Sequence, residues 1–261
     1  MLIDFLGIQK NASFNGVEID GLLEFCHWFM LILFVGWGCF FVYTLWRFHR
    51  SRQPKAEYFG VRNHVSTHLE FSVILIEGML LLGFAIPLWS GRVYSPKDAS
   101  VHVRGIAQQF GWNFHYPGPD GVFGRRDPKL ISSNNPIGLD PNDPAGKDDL
   151  VASNEMHTPV GQTIVIDLTS KDVIHNYALP SMRVAQDAIP GTMVPVWFKP
   201  MTPGEYEIVC GQLCGSGHGL MRGMLVVDSA EDYKAWLDER AKLKAGAASI
   251  EKPKAAVAAV R

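Results

Sequence analysis

The chain has 261 residues, with 24 Lys and Arg against 26 Asp and Glu, for a formal net charge of −2. That balance supplies no field for holding a polyanion, which argues against nucleic acid as a partner. Its four cysteines are too few for a disulfide framework. The length accommodates a domain of about 100–200 residues plus further elements. The first 91 residues carry long apolar runs, and the remainder reads as an ordinary water-soluble domain.

Trp28–Trp46 is a run of 19 residues without a formal charge, and Phe71–Gly91 is a run of 21 with only Glu77 charged. At about 1.5 Å per helical residue each comes close to the ~30 Å hydrocarbon core of a bilayer. Two buried helices of a soluble protein are the competing reading, but such helices rarely stay uncharged for so long. The intervening Arg47-Phe-His-Arg-Ser-Arg-Gln-Pro-Lys, with Arg62 beyond it, is basic, whereas the leading Met1–Gly21 holds Lys10 against three acids. The positive-inside rule therefore predicts a cytoplasmic loop with both ends outside. Met1-Leu-Ile-Asp lacks the basic start of a signal peptide, so the first helix is expected to be retained. Glu70, at the cytoplasmic start of the second helix, can stay hydrated. Glu77 lies seven residues deeper on nearly the same face, where an ionised acid costs at least ~2.5 kcal/mol on insertion scales. Two helices cannot bury it, so partner helices are implied.

Beyond Arg92, the runs Val101–Tyr116, Thr163–Thr169, Val194–Phe198, Glu205–Cys210 and Gly223–Val227 are short and β-rich. Gly, Pro, Asn and Asp bound them, which predicts an antiparallel sandwich or barrel. Pro117–Asp149 reads as a long insertion loop. Ser229 is placed to cap an amphipathic helix reaching about Leu243. The Ala/Lys segment 245–261 is expected to lack order. The predicted organisation is an external segment 1–21, a membrane hairpin 22–91, a β-domain 92–244 with insertion 117–149, and the tail.

The chemistry concentrates in Cys210-Gly-Gln-Leu-Cys214-Gly-Ser-Gly-His218-Gly-Leu-Met221. Two thiols, an imidazole and a thioether within 12 residues are soft donors that select copper over hard cations. With a second Cys, two sulfurs can bridge two metals. A Cys210–Cys214 disulfide and a structural zinc site are the other readings, though zinc would leave Met221 without a role. Cys26 and Cys39 fall in the first predicted membrane helix and read as packing residues. His102, His115 and His157 read as surface or packing histidines.

This loop resembles the dinuclear copper (CuA) loop of cytochrome c oxidase subunit II, in which Cys-x3-Cys-x3-His-x2-Met recurs. The similarity extends to Asp172-Val-Ile-His175-Asn-Tyr-Ala-Leu-Pro180-Ser, to Asp187-Ala-Ile-Pro190-Gly191, and to the hairpin positions Glu70 and Pro87. The resemblance implies a mostly β protein, with an N-terminal two-helix transmembrane hairpin followed by a cupredoxin-like β-barrel. It further implies that Cys210 and Cys214 bridge two coppers, with His175 and Met221 completing one, and His218 and the Gln212 carbonyl the other. The implied role is to accept electrons from a c-type cytochrome and pass them to haem in subunit I, where dioxygen is reduced to water as protons are translocated. That places the chain among further oxidase subunits and lipid in a bacterial cytoplasmic membrane, with the CuA domain and both termini on the periplasmic side.

The chain departs from the family pattern at several positions. Gln212 replaces a glutamate that helps bind magnesium at the subunit I border, and a neutral amide is a weaker ligand for a hard cation. Phe110 stands where the family has the tryptophan through which electrons come in, with Trp112 nearby as a substitute. Lys171 and Arg125-Arg126 lie among positions that are acidic in relatives, which points to a tethered or complex-bound donor rather than a diffusing basic one. Glu70 matches the mouth of the family's proton-uptake path, and Glu77 stands where many relatives have proline. A copper-free quinol-oxidase subunit would lack the ligands. A nitrous oxide reductase domain would lack the hairpin, and a copper-delivery protein would need an exposed site.

Overall fold

The computed structural model describes residues 2–56, 58–60, 63–96 and 99–250. They form two compact units, one of residues 2–10 and 17–93 and the other of residues 11–16 and 94–250. The first unit contains helices Gly16–Arg47 and Val65–Val93, both long and apolar enough to cross a membrane. Their large side chains, from Phe25 to Trp46 and from Phe71 to Trp89, are mostly exposed, as lipid- or partner-facing helices require. Arg92, at the end of the second helix, pairs with Glu18, at the start of the first, at 3.2 Å. The second helix loosens into a π turn at Leu81–Ala85 before Pro87. A proline offers no N–H and crowds the carbonyl four residues earlier, and a π turn accommodates both.

The first helix starts at Gly16, ahead of the expected boundary, because Ser13 caps it: Ser13 Oγ accepts the Gly16 N–H at 3.0 Å. Residues 11–15 are also laced into the β-domain. Ala12 N–H donates to Ser181 O, Phe14 N–H to Lys199 O, and Met201 N–H to Ala12 O, at 2.8–2.9 Å. Composition alone gave no sign of this lacing.

The β-domain has ten strands: β1 Val101–Gln108, β2 Gly111–Tyr116, β3 Leu150–Ser153, β4 Glu155–Pro159, β5 Ile164–Ser170, β6 His175–Leu179, β7 Val184–Ala188, β8 Val194–Phe198, β9 Gly204–Cys210 and β10 Arg222–Asp228. They form two five-stranded sheets, ordered β3-β2-β1-β5-β8 and β4-β10-β9-β6-β7. This is the cupredoxin-like architecture. The expected run Val101–Tyr116 is two strands of a hairpin turning at Gln109–Phe110. The sheets are mixed rather than antiparallel, since β1 runs parallel to β5 and β10 parallel to β4. The chain changes sheets between β3 and β4 at Asn154, whose φ is 58°. Asn lets the backbone take that left-handed conformation at little cost. Its side chain accepts the Trp112 N–H at 2.8 Å.

Ile164, Ile166 and Leu168 of β5 line the core with Trp112, Phe114, Tyr177, Phe198, Ile208 and Leu225, all at or near zero exposure. The 117–149 segment carries two short 3-10 helices, Pro128–Leu130 and Pro144–Lys147. The C-terminal helix, Ala230–Ile250, begins at its expected cap, with the Asp232 N–H donating to Ser229 Oγ at 3.1 Å. It runs past Leu243 into the segment expected to lack order; residues 251–261 lie outside the described residues. Trp236 of this helix stacks on His157 at 4.3 Å, and His157 meets Asp228 and Glu155 at 2.7 Å each. His157 and His115 are therefore buried packing residues, whereas His102 is exposed.

His115 has no exposed surface and meets Asp149 at 2.5 Å. Burial, then the nearby Arg104, Arg126 and Lys244, push its imidazole down to about 3. An unfolded imidazole takes up a proton near 6.5, so between that pH and about 3 only the unfolded chain gains one, and stability falls as pH falls. Chemical denaturation of the detergent-solubilised chain at pH 7 and pH 5 should show the parent losing up to about 2 kcal/mol more than His115→Gln. Equal losses would mean that the folded pair takes up the proton.

Candidate metal centre

The site lies at one end of the second sheet. Tyr177 of β6 pairs with Cys210 of β9, which sets His175 beside the end of β9. The β9–β10 ladder continues until the Cys210 N–H donates to Met221 O at 3.2 Å, so the loop 211–221 folds back over its own root. Within it, Cys214 Sγ lies 3.8 Å from Cys210 Sγ, 3.7 Å from His218 Nδ1 and 3.9 Å from Met221 Sδ. Cys210 Sγ is 3.9 Å from His175 Nδ1 and 3.2 Å from the Gln212 carbonyl oxygen. All six residues singled out in the sequence thus converge. The donor atoms of His175, Cys210 and Cys214 lie within 4.8 Å of one another, all buried.

His175 is oriented from behind. Its Nε2 is 2.9 Å from Asp172 Oδ1, which fixes the proton on that nitrogen and turns the Nδ1 lone pair toward the sulfurs. Burial works to raise the Asp172 carboxyl, but the Gln109 N–H, His175 and the Val173 N–H outweigh it and hold it below its ordinary range. Burial and the neighbouring Cys210 push the Cys214 thiol up to about 11. A metal binding there displaces a proton. Two thiols, two imidazoles and a thioether, all buried except the half-buried His218, suit a soft transition metal and fit copper.

The β1–β2 turn lies over this loop. Phe110 packs on Gly215 and Gly217; a Cβ added at Gly217 would come within 2.5 Å of its ring. Phe110 itself is 41% exposed. Trp112 is 1% exposed and sits edge-on to His175 at 6.3 Å, so it offers a donor protein no surface. Leu213, Leu220, Met193, Val173 and Ile174 are exposed apolar side chains of the same region.

The basic side chains expected to weaken charge steering differ in exposure, and Arg125 stays exposed. Arg125 pairs with Asp140 at 2.6 Å, Lys171 donates to Pro136 O at 2.6 Å, and Arg126 is half-buried. Glu70 and Glu77 are exposed on the second helix, far along the chain from the metal donors. The hold of Asp172 on His175, three residues apart, escaped the sequence reading, as did the contacts of Gln109, because nothing local signals hydrogen bonds across 63 and 105 positions.

Two helices able to cross a membrane and a cupredoxin-like domain with a buried soft-donor cluster fit the class of membrane-anchored proteins built to hold a soft metal. The family model "Cytochrome C oxidase subunit II, periplasmic domain" matches residues 101–230. An alternative cytochrome c oxidase subunit 2 of Bradyrhizobium diazoefficiens is 33% identical, covering 87% of this chain and 81% of that protein. Cytochrome c oxidase subunit 2 of Cereibacter sphaeroides is 27% identical, covering 89% and 79%. The crystal structure of the periplasmic domain of subunit II of cytochrome oxidase from Bradyrhizobium japonicum aligns with a TM-score of 0.43 at 29% identity. It covers 57% of this chain and 99% of that one. The chain belongs to the cytochrome c oxidase subunit II family and is a subunit of a haem–copper oxidase.

Proposed function

We propose that this subunit holds a dinuclear CuA centre, takes single electrons from a c-type cytochrome and passes them to haem in subunit I, where dioxygen is reduced. The observation that carries this reading is the convergence of six donors from two segments on one pair of sulfurs 3.8 Å apart. Cys210, Cys214, His175, Met221, His218 and the Gln212 carbonyl would hold the copper pair. When bound, the copper pair supplies a one-electron acceptor and donor. The protein holds the ligands in a stiff, water-poor cage, so little must move when the charge changes. With Gln212 in place of a carboxylate, magnesium binding at the subunit I border is weak or absent.

Phe110 carries the electron-accepting contact: one face lies on the metal loop and its edge reaches the surface, with Trp112 behind it against His175. The exposed apolar surface of Leu213, Leu220 and Met193, with Arg125 exposed in its pair with Asp140, supports a donor held by tether or complex rather than steered by charge. The basic segment after Arg47 supports a cytoplasmic loop, and the lacing of residues 11–16 supports an N-terminal segment on the β-domain's side, in a bacterial cytoplasmic membrane. Glu70, with Glu77 deeper on its face, serves proton uptake toward subunit I.

Metal analysis of the purified chain should give two coppers and a mixed-valence spin signal, which Cys214→Ser abolishes because a hydroxyl does not bridge soft ions as a thiolate does. One copper, or zinc, would contradict the reading. In the assembled oxidase, oxidation of a soluble basic cytochrome c should be slow and change little with ionic strength. Fast turnover at low salt that collapses as salt rises would reveal ordinary charge steering. Glu70→Ala should slow turnover while leaving reduction of the copper centre intact; unchanged turnover across pH would remove Glu70 from the uptake path.

A further inference from the structure

We propose that Gln109 is a positioning residue of the metal centre, tying the two ligand-bearing segments together through one residue at the β1–β2 turn. Its side-chain amide donates to the Cys214 carbonyl at 2.6 Å, and its backbone N–H donates to Asp172 Oδ2 at 2.7 Å. Asp172 Oδ1 in turn holds His175 Nε2 at 2.9 Å. One residue therefore fixes the peptide that carries Cys214 and, through Asp172, the imidazole that faces Cys210.

The fold makes this possible. Strands β1 and β5 are parallel with Ala107 opposite Ser170, and the Lys171 N–H continues the ladder onto Ala107 O at 3.0 Å. The turn after β1 and the Asp172 turn after β5 thus leave the sheet side by side. The metal loop meets them from the second sheet and seats Gly215 and Gly217 under Phe110. Gly215 has a φ of +139°, a conformation other residues rarely adopt. The peptide joining it to Cys214 needs an external hold to keep one orientation, and the Gln109 amide supplies one. Among the side chains lying over the loop, Phe110 contributes shape and Gln109 contributes the directional bond. Outer partners of this kind typically alter metal affinity 10–100-fold when removed.

The proposal rests on the dinuclear copper reading, and the test separates the two. The copper-loaded full-length chain in detergent is compared with Gln109→Ala and with Gln109→Glu, which keeps the side chain's size but, ionised, offers Cys214 O no donor. Both variants should lose copper to a chelator about 10-fold faster than the parent and show an altered mixed-valence spin signal. If Gln109→Ala does not fold, the same comparison on Gln109→Glu decides. Parent-like copper loss and spectrum in Gln109→Glu would overturn the proposal, because filling space would then be enough. A parent chain without any mixed-valence signal would instead overturn the reading of the site itself.

Discussion

The pairing of Tyr177 with Cys210 across β6 and β9 is the contact on which the site depends. Side chains alternate along a strand, so a slip of one residue would turn Cys210 to the opposite face and carry His175 away from it. The register is held from both sides. His175, Tyr177 and Leu179 all point into the core without exposed surface, and the β9–β10 ladder runs unbroken from Gly204 to Val209. A slip would expose those three side chains together, and each apolar one is worth roughly 1.5–3 kcal/mol when buried. Hydrophobic packing thus fixes the position of donor side chains that have no packing reason to sit together.

A second layer turns this fixed backbone into a directed donor set. Asp172 accepts hydrogen bonds from Gln109, Val173 and His175; this costs desolvation and returns a fixed imidazole orientation. The core applies the same principle away from the metal, where His115 and His157 are each held against carboxylates. Buried imidazoles in this domain are consistently paired, and only His175 among them keeps a ring nitrogen turned toward sulfur. On the same loop Leu213 and Leu220 present exposed apolar side chains to the outside.

The two membrane spans and the metal loop were legible in the sequence because each is local. A run of uncharged residues declares its length, and four soft donors within 12 residues declare their chemistry. His175 was legible only through resemblance, since nothing in its own neighbourhood marks a ligand. The β1–β2 turn was hidden because Gln109–Phe110 carries neither the glycine nor the asparagine that signals a tight hairpin. Strands β3, β4, β6 and β7 are too short, or too mixed in polarity, to stand out from loops. The contact of Gln109 with Cys214 spans 105 positions and joins loops of different sheets, so no local pattern announces it.

The central claim is that the two sulfurs serve two metals at once. X-ray absorption at the copper edge of the purified, metal-loaded chain tests it most directly. The account predicts a short copper–copper vector, together with sulfur and imidazole nitrogen in the first coordination shell. Copper surrounded by light atoms and sulfur, with no second copper at short range, would contradict it.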